Sequence, residues 1–202
     1  LYILKSYLKE FRNTVVASSL ESVIDKLEDM IPGEVFWDAG SSFDVIWDQN
    51  YGSYDYEKHN QLIEQLVDAI RKKRWMEIRY RAVNQEQGKS YIIFPHMLFS
   101  YHGTIYLAAY ERGYAKNISL ILQRIQALEQ KPMPIKEVPV FDREAFRRDR
   151  FGVFEGEAVT VRLRIARAYA VYFVNRSWHP SQRTETTEKG DLLLTMEVPL
   201  SP

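Results

Sequence analysis

The chain has 202 residues, 46% of them hydrophobic and 27% charged, with 27 basic against 27 acidic side chains and no cysteine. This length and apolar content allow two small packed domains, and the missing thiols exclude disulfides, thiolate nucleophiles and cysteine-based zinc sites. The balanced charge is unevenly placed, at −6 over residues 1–56, +5 over 57–131 and +1 over 132–202.

No apolar run approaches the ~20 residues that cross a bilayer, no signal peptide is visible, and a reducing cytoplasm is the expected compartment. The chain starts at Leu1 rather than Met and stops at Ser201-Pro202 just after an expected strand, which reads as a fragment.

Residues 1–12 place Leu1, Leu4, Leu8 and Phe11 on one helical face. A second helix is expected from near Ser18, with Glu21 completing a capping box and Leu20, Val23, Ile24, Leu27 and Ile31 as its apolar face. Pro32-Gly33 should end it. Residues 34–56 form an aromatic arm (Phe36, Trp37, Phe43, Trp47, Tyr51, Tyr54, Tyr56). Such aromatic content is foreign to a disordered linker, so the arm should dock. These stripes need a partner, and a homodimer with residues 1–56 in the contact is expected.

Residues 59–73 are the clearest helix, with Leu62, Ile63, Leu66, Val67 and Ile70 buried. The basic run 71–74 suits its C-terminus, where cations complement the helix dipole. Short strands follow. Residues 75–81 alternate, and 89–94 should stop at Pro95. Strands 97–101 and 104–109 flank the two-residue turn His102-Gly103. A strand is expected at 115–122, with 124–130 continuing it past a kink. A helix followed by about five tightly turned strands points to a small SH3-like or Sm-like barrel.

Residues 131–139 hold three prolines and read as a linker. Asp142 then caps a helix, with Phe141 and Phe146 as a hydrophobic staple. Residues 158–165 alternate as a strand, 166–176 should be helical, 181–188 a polar edge strand, and Leu192, Leu194, Met196 and Val198 mark a last strand. The order β-α-β-β is the first part of a ferredoxin-like unit. The fold class is α+β, divided into a lead-in and arm (1–56), a barrel (57–131), and a linker with an incomplete ferredoxin-like unit (132–202).

Enzymatic motifs are missing: there is no Walker A sequence, no dinucleotide fingerprint, no nucleophile elbow and no zinc-protease helix. His59, His96, His102 and His179 are scattered without metal-ligand spacing and read as turn or surface residues. Asp48, Asn50 and Asp55 fail the calcium-loop template, because Ser53 and His59 stand where Gly and Glu are required. Neither catalysis nor a cofactor or metal is expected.

The stretch 104–125 resembles the core of a WYL domain. Tyr106-Leu107 keep the end of the naming triplet, with Ile105 in place of Trp. The family's Arg-x-Phe step falls on Ile118 and Leu120, and its Leu-Asp-Arg-Ile ending on Leu122-Gln123-Arg124-Ile125. Tyr80 ends a first strand, Pro95 precedes a hairpin, and His179-Pro180-Ser181-Gln182 is similar to the WCX extension that follows many WYL domains. The resemblance covers roughly residues 57–202.

It implies the same small barrel, serving as the sensing part of a bacterial transcriptional regulator, with operator DNA bound only through a winged helix-turn-helix domain outside this chain. Some family members bind single-stranded nucleic acid. Carried over by position, the ligand-binding candidates are Tyr80, Tyr106 and Arg124, with His96, Lys116 and Asn117 as neighbours. Arginine forks pair with phosphate, and tyrosine offers bases a stacking face. Ile118 stands where the family has an arginine, which predicts a changed ligand or none. The alternatives are a nucleic-acid-binding accessory module of a phage-defence or DNA-repair system, or a structural dimerisation region. The sequence upstream of Leu1 would separate them.

Overall fold

The computed structural model describes residues 11, 13–30, 54–83, 85–134 and 140–199, Glu28 by its backbone alone. The expected helix over residues 1–12 and the arm up to residue 53 lie almost wholly outside these residues, as does the second half of the proline-rich linker. The chain divides into two compact units, Leu1–Val138 and Pro139–Pro202.

In the first unit, helix α1 (Val15–Met30) begins three residues before the sequence expectation. Thr14 supplies the start: its hydroxyl donates to Phe11 O at 2.6 Å and accepts from Ala17 N at 3.4 Å. Asn60 fixes the same turn, accepting from Val15 N and donating to Asn13 O, both at 2.8 Å. Ser18, expected as the cap, lies inside the helix and turns its hydroxyl back to Val15 O at 3.2 Å. Among the described residues of the expected apolar face Ile24, joined by Ala17, is buried, and Leu20, Val23 and Leu27 are at least 41% exposed; Ile31 lies outside the described residues.

A 3-10 turn (Glu57–His59) leads into α2 (Asn60–Arg71), whose Ile63, Leu66 and Ala69 are buried. Lys73, at φ 52°, ends the helix and redirects the chain into strand β1.

Five antiparallel strands follow: β1 (Trp75–Tyr80), β2 (Lys89–Tyr101), β3 (Thr104–Glu111), β4 (Lys116–Ile121) and β5 (Ile125–Lys131). Their order in the sheet is β4-β3-β2-β1-β5. Residues of alternate parity (Met76, Ile78, Ile93, Ile105, Leu107, Ala109, Leu120) pack with α2 into one core.

Two sequence expectations fail here. Pro95 does not stop its strand: β2 runs 13 residues straight through it. The β1 ladder ends at Ile93, and between Pro95 and Met97 the pairing to β3 shifts by one residue. A β-bulge is where a strand tolerates a residue without a donor. Residues 124–130 also do not continue β4. A 3-10 turn (Leu122–Arg124) redirects the chain, and β5 pairs with β1 at the far side of the sheet. The hairpin at His102-Gly103 forms as expected, with φ of 49° and 74°.

In the second unit, Asp142 caps α3 (Arg143–Arg148) by accepting from Glu144 N and Ala145 N, and Phe141 meets Phe146 at 5.2 Å between ring centroids. Arg150 opens a short hairpin of β6 (Arg150–Phe151) and β7 (Phe154–Glu155). Its buried guanidinium lies 3.6 Å from the Phe146 ring centroid and pairs with Glu155.

Strand β8 (Ala158–Ile165) is followed by α4 (Arg167–Ala170), then β9 (Arg183–Thr186) and β10 (Leu192–Pro199), in sheet order β8-β10-β9. The helix expected over 166–176 is a single turn continued by tight turns. Leu163, expected inward, is 46% exposed. His179 is not a surface residue but is 4% exposed: Nε2 donates to Arg148 O at 2.8 Å, and Nδ1 accepts from Ser181 N at 3.2 Å. The Ser181 hydroxyl in turn bonds the backbone of Glu197.

Tyr56 ties the end of the arm to the sheet. It is fully buried, its hydroxyl accepts from Ile105 N at 2.7 Å, and it donates to Gln123 Oε1 at 3.2 Å. Tyr56→Phe keeps the ring and strands the buried Ile105 donor, which costs about 1–3 kcal/mol. Urea unfolding is expected to show a loss of that size with an unchanged slope; a loss under ~0.5 kcal/mol would place the value of Tyr56 in its ring alone.

Candidate functional site

Strand pairing decides which candidates share a face. On β3, Ile105, Leu107 and Ala109 face the core, so Tyr106, Ala108 and Tyr110 lie on the opposite face. The registers extend these into three rows across β2, β3 and β4: Phe99–Tyr106–Ile121, Met97–Ala108–Ser119 and Phe94–Tyr110–Asn117.

The first row carries one group of candidates. Phe99 and Tyr106 stack with centroids 5.5 Å apart and planes inclined by 21°. Tyr80 reaches this row from the core side, its hydroxyl accepting from Ile121 N at 3.3 Å. Arg124 sits on the 3-10 turn that follows, donating through Nη1 to Arg81 O at 3.3 Å, while Arg81 N donates back to Arg124 O at 3.1 Å. Among the described residues Arg124 meets no carboxylate.

Burial pushes the Tyr80 phenol above its usual range, while the Ile121 hydrogen bond and the Arg124 charge oppose the rise. Burial pushes Tyr106 up as well, helped by Tyr101. Both phenols therefore remain neutral donors at physiological pH.

The third row carries the other group. His96 is the extra residue of the β2 bulge, and the bulge aims its ring at Asn117, with Nε2 donating to Oδ1 at 3.1 Å. The ring of Phe94 lies 5.7 Å from His96, and Trp75 meets Phe94 edge-on at 5.5 Å. Four residues of β4 separate Asn117 from Ile121, roughly 13 Å at strand rise. Lys116 does not join this face; it has the opposite parity on β4 and stands across from Glu111.

Ile118, where the family resemblance placed an arginine, faces Ala109 and packs on the core. The substitution therefore alters the core side of the strand and leaves the three rows intact.

Two residues of this face were missed in the sequence. Phe99 is the stacking partner of Tyr106. Ser119 lies in the middle row with its hydroxyl buried and without a hydrogen-bond partner. Strand alternation puts 117, 119 and 121 on one side, so counting parity from Asn117 would have found Ser119. Among the described residues no cluster of His, Asp or Glu could hold a metal ion, and no helix is long and apolar enough to cross a membrane.

A five-stranded antiparallel sheet behind one helix, with Tyr106-Leu107 on its third strand and Arg124 on the turn before its fifth, has a match among known families. Residues 61–130 match the family described as WYL domain. The solved structure of proteasome accessory factor B/C (PafBC) of Arthrobacter aurescens is similar at 22% sequence identity and a TM-score of 0.41, covering 73% of this chain. The chain spans 22% of the length of that structure. No curated protein matches the chain.

The His96 geometry predicts a titration. Burial lowers its affinity for a proton, and the Asn117 hydrogen bond partly restores it. A folded-state value below the free value of about 6.5 means that His96 contributes stability above that pH, and the contribution is lost as pH falls through the folded value. Asn117→Ala removes the group that favours the protonated ring, so the midpoint should fall further. Ring-proton NMR titration of wild type and variant checks both shifts; an upward move in the variant would contradict the assigned bond.

Proposed function

We propose that this chain is the ligand-sensing and dimerising portion of a bacterial, cytoplasmic WYL-family transcriptional regulator, and that its ligand is a nucleic acid or another anion. The observation that carries this reading is the outer sheet face that holds the Phe99–Tyr106 stack in one row and the His96–Asn117 pair in another, with Arg124 on the 3-10 turn that follows the first row. Aromatic rings suit a planar base, a guanidinium donates to a phosphate, and the amide and imidazole read hydrogen-bonding edges. None of these groups is arranged as a nucleophile with a base, so the reading is a non-enzymatic one.

The finer fold assignments belong to the same proposal. The order β4-β3-β2-β1-β5, with a 3-10 turn before the last strand, supports an SH3-like or Sm-like barrel over residues 57–131. In the second sheet β10 lies between β8 and β9 and is antiparallel to both. That leaves β8 and β9 mutually parallel, the arrangement of a split β-α-β unit, and supports a partial WCX extension within 132–202. Apolar side chains exposed along α1 support a homodimer in which residues 1–56 take part.

If the face binds single-stranded nucleic acid, affinity should fall as salt rises. Losing one charge-assisted contact at Arg124 costs ~1.5–3 kcal/mol, so Arg124→Ala should weaken a short oligonucleotide more than tenfold. Fluorescence anisotropy at two salt concentrations measures this, with melting curves as the control for folding. The reading fails if the variant melts several degrees lower yet binds as wild type, which would make Arg124 a structural tie to Arg81. A wild type without salt-dependent binding removes the polyanion.

A further inference from the structure

The second unit carries a surface of its own with a distinct composition. Between residues 158 and 183 there are five arginines and no Asp, Glu or Lys. In the middle of this stretch, residues 169–176 run as successive tight turns, with Tyr172 N, Phe173 N and Arg176 N each donating three residues back at 3.0 Å. About three residues per turn put equivalent side chains in rows. Ala170 and Phe173 turn inward and are half-buried. Tyr169 and Tyr172 form a second row at 62% and 64% exposure, and Val171 and Val174 a third at 71% and 47%.

The segment is held firmly at both ends. Asp191 accepts from Arg167 N at 3.1 Å; Gln182 accepts from Trp178 N at 2.9 Å and donates to Arg176 O at 2.8 Å. Trp178 packs on Phe173 at 5.4 Å between centroids. A surface ordered before binding loses little entropy on binding.

Exposed tyrosine and arginine with no lysine is the composition of protein interface hot spots. The two exposed valines favour a protein segment over nucleic acid, whose bases would use only the rings. The chemistry that fits is a peptide bearing carboxylates and apolar rings. The chain itself contains one: residues 34–53 hold Glu34, Asp38, Asp44 and Asp48, no Lys, Arg or His, and five aromatic side chains.

We propose that the surface formed by Tyr169, Val171, Tyr172 and Val174 with Arg167 and Arg176 binds the acidic aromatic segment 34–53 of a second copy of this chain. The carboxylates of that segment have the chemistry that guanidinium forks recognise, and its indoles the chemistry that arginine and tyrosine recognise. This rests on the dimer of the proposed function and says what its contact consists of.

A charge exchange tests it with the full chain. One variant carries Arg167→Glu and Arg176→Glu, the other Asp38→Lys, Asp44→Lys and Asp48→Lys. Sedimentation equilibrium should show each variant alone associating at least tenfold more weakly than wild type. An equimolar mixture of the two should regain association through the matched reversed pair. Tyr172→Ser, at an exposed position, should weaken association severalfold without a charge change or a change in melting temperature. If wild type dimerises and no variant alters it, or if the mixture regains nothing, this contact is wrong while the dimer stands. A wild type that stays monomeric overturns both. If the arginine variant loses oligonucleotide affinity and keeps its dimer, the surface belongs to nucleic acid and the proposal falls.

Discussion

The first unit depends on one long strand that serves two neighbours in turn. Strand β2 gives its first five residues to β1 and its remaining length to β3, with Ile93 the only position paired to both. A flat strand of 13 residues would hold both neighbours in one plane. The inserted residue at His96 bends the strand and increases its twist, so the two ladders separate in direction. The same insertion turns the His96 ring toward Asn117. Folding and the polar end of the candidate face thus have one cause, and Pro95 beside it is tolerated because β1 has already ended.

Local pattern made part of this legible. Helix α2, strands β1, β8 and β10, the His102-Gly103 turn and the Asp142 cap each follow from residues close together in sequence, where periodicity and capping chemistry act. The errors share a different origin. Thr14 starts α1 with the help of Asn60, 45 residues away, and nothing near Ser18 announces that partner. Pro95 is locally a strand breaker and becomes harmless only in a sheet whose neighbouring strand has ended. His179 sits in a polar string, yet its two nitrogens are consumed by Arg148 O and Ser181, which buries it.

The candidate residues divide along the same line. Tyr80, Tyr106, Arg124, His96 and Asn117 were reachable through resemblance and composition, because each belongs to a short motif or a strand end. Phe99 and Ser119 needed the cross-strand register, which no single stretch of sequence contains. Lys116 illustrates the converse. Next to Asn117 in sequence, it falls on the other side of the strand, since alternate residues face opposite ways. Two tyrosines repeat one device: Tyr56 and Tyr80 pack their rings in the core and spend their hydroxyls on the backbone donors of Ile105 and Ile121.

Strand β9 has a consequence for behaviour at high concentration. All four of its residues, Arg183 to Thr186, are exposed, and it borders the second sheet with β10 as its one partner among the described residues. A free edge is a template on which another molecule can add a strand, the first step toward amyloid-like stacking. Here the edge is four residues long, alternates Thr with a charged side chain of either sign, and offers no apolar row to zip against. The second unit therefore leaves this edge of its backbone open without inviting fibrils, and the polar sequence that reads as featureless is what guards it.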